Sequence, residues 1–332
     1  MTPLRIGTLG AARITPPALL APASKRDDVE VVAVAARDRT RAQSFADKRD
    51  IPRVLDDYEA VITDDAIDAV YVPLPNSHHA EWTIAAIEAG KHVLCEKPFT
   101  ADADEARRVA AVAAAHPDVV VMEAFHWRYH PLAQAVIDEL RAGTIGDVEH
   151  IDAHFSIPLL PPGDIRWRPD LAGGALMDVG CYTISMLRHF AGAEPTVRTA
   201  TAKQRTPGVD RRIDATFSFD DGSTGSITAS MLSRSLLWVS ATVQGSQGRV
   251  RILNPVAPQV FHRCTIETPD GKRRLHFPRS ATSYGGQLDA FVTAVRDGGP
   301  VLTPPEDAIA NMAVIDAVYR AAGMEPRPAR TG

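Results

Sequence analysis

The chain has 332 residues, 45% of them hydrophobic, which is too much for one ordinary core and suits about two globular domains. Its 36 Lys and Arg against 41 Asp and Glu give a formal charge of -5, so nothing in the charge balance draws it to nucleic acid or anionic lipid, and a small-molecule ligand is expected. Three cysteines (Cys95, Cys181, Cys264) without a CxxC pair argue against a disulfide framework or zinc ribbon, and no apolar run is long enough to span a membrane. A start broken by Arg5, Arg13, Pro16 and Pro17 lacks a signal-peptide core, so a cytoplasmic location is expected.

In chain order, the runs LRIGTLG, VEVVAVAA, AIDAVYVPL, KHVLCEKP and VVVMEAF alternate with helical patterns, the rhythm of parallel strands joined by crossover helices. Few polar residues break these runs, as expected where helices cover both faces of a doubly wound sheet. After Phe125, PLAQAVIDELRAG reads as an amphipathic helix ending at Gly143. Alternating segments follow: DVEHIDAHFSI, TVRTATAKQR, RIDATFSF, STGSITAS, LLWVSATVQG and VFHRCTIET, with turn residues such as Asp221-Gly222 between them. Such segments form antiparallel sheet. One long helix, ALMDVGCYTISMLRHFAG, interrupts them; two more occupy 287–322, joined by GGPVLTPPED, and the tail MEPRPARTG is expected to be unstructured. The expected architecture is α/β, a doubly wound parallel-sheet domain over 1–123 and an α+β domain with a large, mostly antiparallel open sheet over 124–332.

RIGTLGAARIT falls where the first strand meets the first helix, a place where backbone N–H groups hold a pyrophosphate. Gly10 supplies a tight turn, with Ala11, Ala12, Arg13 and Ile14 following, but Ala12 stands where a full GxGxxG has its second glycine. A plain strand-to-helix turn fits the same residues. At the end of the second strand an acid would grip a ribose 2′-hydroxyl and repel a 2′-phosphate; here VAVAARDRTR places Ala36 at that point, with Arg37, Arg39 and Arg41 close by. NADP is therefore expected over NAD, although NAD remains possible, Asp38 is a complication, and a solvated basic helix start fits the same residues.

HVLCEKPF ends an apolar strand in Glu96, Lys97 and Pro98, which delivers two charges to the ligand-binding end of a parallel sheet while Pro98 stops pairing. A surface ion pair at a strand terminus has the same appearance. Together with PLPNSHHAEW and the leading turn, GKHVLCEKP resembles the Gfo/Idh/MocA oxidoreductases, whose most specific signature is the Glu-Lys-Pro at the end of the fifth strand. The resemblance covers nearly the whole chain. It implies a Rossmann domain followed by a sheet-rich domain that commonly forms oligomer contacts, here a homodimer or higher homo-oligomer. The family's second motif reads AGGALMDVGCYTIS in this chain: Asp178 and Gly180 match, but Tyr182 stands where many members carry histidine. That departure, with EAFHWRYHP and the Arg37 region, resembles the branch of dimeric dihydrodiol dehydrogenases, glucose-fructose oxidoreductase and NADP-linked xylose dehydrogenases.

Oxidising an alcohol requires a base within hydrogen-bond reach of the hydroxyl. A free tyrosine, with pKa ~10, is a poor one, and a neighbouring ammonium favours its phenolate. Tyr182 is accordingly assigned as acid/base, Lys97 as its tuner, and Asp178, one helical turn before Tyr182, as a positioning group. The resemblance further implies cofactor contacts from Pro73, Leu74, Asn76, His79 and Glu96, and from Trp167 and Arg168. It implies substrate contacts from Trp127, Arg128, Tyr182 and Tyr284.

Metal is not expected: His126 and His130, like His150 and His154, are four apart, but the second pair lies in an expected strand and no third ligand presents itself. The expected function is hydride transfer between NADP and a sugar, at aldose C1, or a cyclic trans-diol. Alternatives are a sugar-sugar oxidoreductase with tightly bound NADP and a non-catalytic nucleotide-sensing regulator of the same fold.

Overall fold

The computed structural model describes residues 2–158, 161, 163–232 and 237–327. The chain forms two compact units, one made of Met1–Thr100, Asp104–His126 and Tyr284–Ile309, the other of Ala101–Ala103, Trp127–Ser283 and Ala310–Gly332.

The first unit is built on six parallel strands: β1 (Leu4–Leu9), β2 (Val29–Ala35), β3 (Arg53–Val54), β4 (Ala69–Val72), β5 (His92–Cys95) and β6 (Val121–Glu123), in the order β3-β2-β1-β4-β5-β6. Helices cover them, so β4 is buried at every residue. The crossovers are α1 (Ala21–Ala23, entered through a wide π-type turn at Pro16–Leu20), α2 (Arg39–Asp47), α3 (Tyr58–Ile62), α4 (His79–Glu88) and α5 (Ala103–Ala115). Local chemistry sets their ends. Asp38 caps α2 by accepting from the Arg41 N–H at 3.1 Å, Asp57 caps α3 by accepting from Ala60 at 2.8 Å, and Gly90, at φ +74°, follows α4. Winding runs one way from β1 to β3 and the other from β4 to β6, so the topological switch point lies between β1 and β4, beyond whose C-terminal ends a ligand crevice belongs.

The second unit carries α6 (Pro131–Arg141) and eight strands: β7 (Val148–Ser156), β8 (Thr196–Thr206), β9 (Val209–Ser218), β10 (Thr224–Ser230), β11 (Trp238–Gly245), β12 (Gly248–Leu253), β13 (Arg263–Thr268) and β14 (Gly271–Leu275). Their order is β14-β13-β12-β11-β7-β10-β9-β8. All neighbours are antiparallel except β7 and β10. The alternation has two faces. Ile151 and Ala153 of β7, Ile227 and Ala229 of β10 and Ala241 and Val243 of β11 are buried, and α7 (Cys181–Ala191) packs against β7 and β10. The opposite face is polar and internally bonded: His150 to Thr224 at 2.8 Å, Ser226 to Asp152 at 2.8 Å and Thr228 to Asp214 at 2.8 Å. α8 (Ser283–Asp297) and α9 (Pro305–Ala321) complete the chain.

The expected fold class is the observed one, with local differences. β3 has two residues, too few for a periodic pattern; β14, GKRRL, went unread because it is dominated by arginine and lysine, and β12, GRVRIL, because its two arginines break a run of only six residues. The tail is not wholly unstructured: Arg327 is buried, ion-paired to Asp210 and bonded to the Tyr319 hydroxyl at 2.9 Å, while residues 328–332 lie outside the described residues.

Candidate active site

In the first unit, β1 delivers Gly10 to the switch point at φ +101°, a conformation that suits glycine. A Cβ there would stand 3.3 Å from Leu74 Cδ2, so the turn after β1 packs closely on the segment after β4. The Gly10 N–H donates to Ala35 O at 2.7 Å, and the Arg41 guanidinium donates to Ala11 O at 2.8 Å, bracing the turn from α2. Pro16 and Pro17 have no N–H, and the Ala18 N–H is taken by Ile14 O, so the donors this turn can offer come from Ala11–Ile14 and not from a helix terminus. Gly10 and Ala11 are buried, Ala12 and Ile14 half-buried and Arg13 exposed. These features fit a dinucleotide pyrophosphate.

Ala36 is buried in an apolar cluster with Ala11 and Ala42. Arg37 beside it is exposed, Arg39 pairs with Asp56, and the Asp38 carboxylate is occupied as the α2 cap. The complication Asp38 posed is thereby removed, because its charge faces a helix N-terminus. Tyr58, for which the sequence gave no signal, takes a hydrogen bond from the Arg37 backbone; burial raises its pKa, and its ring stands edge-on to Trp82 at 5.0 Å.

At the end of β5 the two charges separate. Glu96 turns inward, 7% exposed, and accepts from the Tyr71 hydroxyl at 2.6 Å; burial pushes its carboxyl pKa up, while the adjacent Lys97 ammonium pulls it down. Lys97 itself stays half-buried, and the Lys97-Pro98 peptide is cis. His79 ties this end to that of β4, with ring nitrogens 2.8 Å from Pro98 O and from Leu74 O. Burial lowers its pKa to about 4 against the opposing pull of both carbonyls, so the neutral ring donates to one of them at a time. Pro73 and Leu74 are buried, and Asn76 opens the 3₁₀ turn Asn76–His78 half-buried. Tyr284 stacks on His126 at 4.2 Å, its pKa raised chiefly by burial and further by Glu96.

In the second unit, Asp178 sits on a π-type turn (Leu176–Gly180) that runs into α7 and carries Tyr182 one turn later. Such turns recur at functional sites. Asp178 pairs with Arg166, not with Arg168: Arg166 Nε lies 2.9 Å from its Oδ2, whereas Arg168 pairs with Asp170 at the surface. Tyr182 is 6% exposed, its ring 5.5 Å from Phe155. The glycines of AGGALMD also have a reason. Gly174, at φ +137°, leaves room for the Asp210 carboxylate, whose Oδ2 accepts from the Leu176 N–H at 2.7 Å.

Trp127, expected at the substrate, and Trp167, expected at the cofactor, are both buried in the second unit. Trp127 is fully buried, donating to Ser185 Oγ at 3.3 Å, and Trp167 packs in a core cluster with Val179 and Met231 beneath the Arg205 guanidinium. Arg128 bonds His189. Both indole rings are buried, and the Trp167 Nε1 has no hydrogen-bond partner among the described residues. Sequence reasoning missed Tyr71, Arg166 and Asp164. Tyr71 had a signal, a phenol inside a buried aliphatic strand that needs a partner; Arg166 had none, since DIRWRPD offers two equivalent arginines.

Comparison with known proteins agrees with this architecture. Residues 4–125 match the family described as oxidoreductase family, NAD-binding Rossmann fold, and residues 133–251 match the GFO/IDH/MocA C-terminal domain. A D-xylose 1-dehydrogenase (NADP(+)) of Haloferax volcanii is 39% identical, covering 96% of this chain and 97% of its own. A trans-1,2-dihydrobenzene-1,2-diol dehydrogenase of Sus scrofa is 33% identical over 69% of this chain and 68% of its own. Among solved structures, a 3-ketoreductase from Actinomadura kijaniata in complex with NADP and TDP-benzene superposes with TM-score 0.88 at 33% identity, covering 96% of this chain and 98% of that one. The chain belongs to the Gfo/Idh/MocA family and is an oxidoreductase with an NAD(P)-binding Rossmann domain.

Proposed function

We propose that the protein is an NADP-dependent dehydrogenase of an aldose at C1 or of a related cyclic trans-diol. The observation that carries the substrate class is the near full-length, 39% identity to a relative named for NADP and D-xylose. NADP, when bound, supplies the hydride acceptor. The residues that would hold it are those of the Gly10–Ile14 turn, Pro73, Leu74, Asn76 and His79 along the switch point, and Arg37 and Arg41 for the 2′-phosphate, where neither Ala36 nor the capped Asp38 opposes the extra charge.

In this reading Tyr182 takes the proton of the substrate hydroxyl. The Lys97 ammonium lowers the cost of the phenolate, and Asp178 orients the sugar. Tyr71 has a supporting part, because by holding Glu96 it leaves Lys97 as the charge that β5 presents. Trp167 and Arg168 are taken as further cofactor contacts and Arg128 and Tyr284 as substrate contacts, while the fully buried Trp127 supports the segment that carries Arg128. The protein is further taken to be cytoplasmic, since its three cysteines are buried free thiols, and to form a homodimer or larger homo-oligomer through the eight-stranded sheet. Among the described residues no helix is long and apolar enough to cross a membrane.

The test is incubation with NADP and a panel of aldopyranoses and cyclic trans-diols, followed by absorbance of reduced cofactor. Reduction with at least one member of the panel, several-fold faster with NADP than with NAD, is expected. A silent panel with NADP demonstrably bound would refute it.

A further inference from the structure

The formal charge of -5 is unevenly spread, and one flank of the eight-stranded sheet is strongly basic. Strand register sets Arg249 of β12 beside Glu267 of β13 and Lys272 of β14 in one row, Arg251 beside Thr265 and Arg274 in the next, and Leu253 beside Arg263 in the third. These residues share a face, because the alternate positions Val250, Ile252, Cys264 and Ile266 are buried on the other. Arg273 belongs to that second face, where it pairs with Glu139 of α6. Arg251, Arg263, Lys272 and Arg274 are exposed and Arg249 is half-buried, so five cations stand against one carboxylate. They cover an area of roughly 10 by 13 Å. Glu267 is shared by Lys272 at 2.6 Å and Arg249 at 2.5 Å and lies 3.9 Å from Arg251; Lys272 and Arg249 hold its carboxyl at about 2.

Beyond the third row the chain between β12 and β13 forms a tied loop over 254–262. Asn254, buried and at φ +53°, donates to Ala257 O at 2.8 Å and to Phe261 O at 2.9 Å, and its Oδ1 accepts the Ala257 N–H at 3.1 Å. His262 Nδ1 lies 2.9 Å from Pro258 O. The tip is apolar: Val260 is 60% exposed and Phe261 44%. A fixed backbone thus presents two adjacent apolar side chains that folding does not cover, next to Arg263 at the start of β13.

An apolar pair at the end of a flat basic strip suits an anionic bilayer surface, where the pair enters the interfacial region and the cations meet headgroup phosphates. Nucleic acid would use the cations and leave Val260 and Phe261 wet, and a protein would need a pocket shaped for them. A leaflet carrying anionic lipid meets both demands at once.

We propose that the outer face of β12–β14 and the Val260–Phe261 tip form a peripheral docking surface for a membrane that carries anionic lipid. The surface uses the flank of the sheet and leaves the strands from β7 to β8 to the oligomer proposed above. It stands whether or not the protein oxidises sugars.

The test is co-sedimentation of the full chain with vesicles of phosphatidylcholine alone and of phosphatidylcholine containing about 30% phosphatidylserine. At ~0.05 M salt the anionic vesicles should bind at least about ten-fold more tightly than the neutral ones, and ~0.5 M salt should weaken that binding by about ten-fold or more. Arg251→Gln combined with Arg274→Gln should weaken anionic binding by about ten-fold or more and Phe261→Ser by about three-fold or more, with NADPH affinity, read by cofactor fluorescence, within about two-fold in each. Arg263→Gln alone, expected to cost about five-fold, carries the test if the double variant does not fold. Equal binding to the two vesicle types, no binding to the anionic ones, or binding unchanged in the variants would each overturn the proposal. So would self-association in vesicle-free, low-salt solution that the arginine variants abolish, because it would assign the surface to a second copy of this chain.

Discussion

Around Arg37 the choice between the two nicotinamide cofactors comes down to which carboxylates are free. Ala36 has none, and the Asp38 carboxylate is held at the start of α2 by the Arg41 N–H. Arg37→Ala should therefore raise the Kd for NADP by about ten-fold, the scale of one lost charge-assisted hydrogen bond, and leave NAD within about two-fold; fluorescence titration with both cofactors checks this. An equal loss for the two would mean that Arg37 acts through folding and not through the 2′-phosphate. The Arg37 proposal could be made from the sequence because it rests on residue type at a strand end. Arg166 could not be singled out there, since only the folded chain distinguishes it from Arg168: one reaches Asp178 and the other a surface aspartate two residues away.

At the scale of elements, the turn and helix that carry Asp178 and Tyr182 are fixed by a partner far along the chain. Asp210 is fully buried; it accepts from the Leu176 N–H and from the Tyr319 hydroxyl at 2.9 Å, and pairs with Arg327. Removing one member of a buried pair leaves the other charge uncompensated, at a cost of about 3–5 kcal/mol. Arg327→Met should lower stability by about that amount in urea unfolding, and a change under about 1 kcal/mol would show that the tail is dispensable. Here the sequence misled, because MEPRPARTG has the composition of a disordered tail and its one anchoring arginine is indistinguishable from the others. Strand pattern fared better wherever apolar residues alternate, as in β7 and β11. It failed at β14, an edge strand of lysine and arginine, because charged edges are selected to prevent further pairing and carry no burial signal.

Over the whole molecule, each unit carries a buried histidine whose pKa burial lowers to about 4, His79 in the first and His130 in the second. A folded-state value below the unfolded ~6.5 means that unfolding takes up protons in acid. Both contributions are full above pH about 6.5 and are lost as pH falls towards 4. Each is worth about 2–3 kcal/mol by pH 4.5. The carboxylates whose pKa is lowered by basic partners, such as Asp68 beside Arg5 and Glu267 beside Lys272 and Arg249, keep their contribution until lower pH. His92 and His154, lowered by burial, and Glu96, raised by burial, titrate towards the same window, so the histidine variants carry the test. Denaturation curves at pH 7.5 and 4.5 check it; the difference should shrink in His79→Gln and His130→Gln, and equal stability at the two pH values would contradict it.

The division into two units was only partly legible. The sheet-rich segment announces itself by alternation, but nothing in α8 marks Tyr284–Ile309 as returning to the first unit, because an amphipathic helix records that it is covered and not by what. The central claim is that Lys97 serves the chemistry while its neighbour Glu96 serves the fold. Steady-state turnover and NADP affinity of Lys97→Met test it most directly: the account predicts a loss in kcat of about 10²–10⁴ with Kd for NADP nearly unchanged, and turnover at the wild-type rate would contradict it.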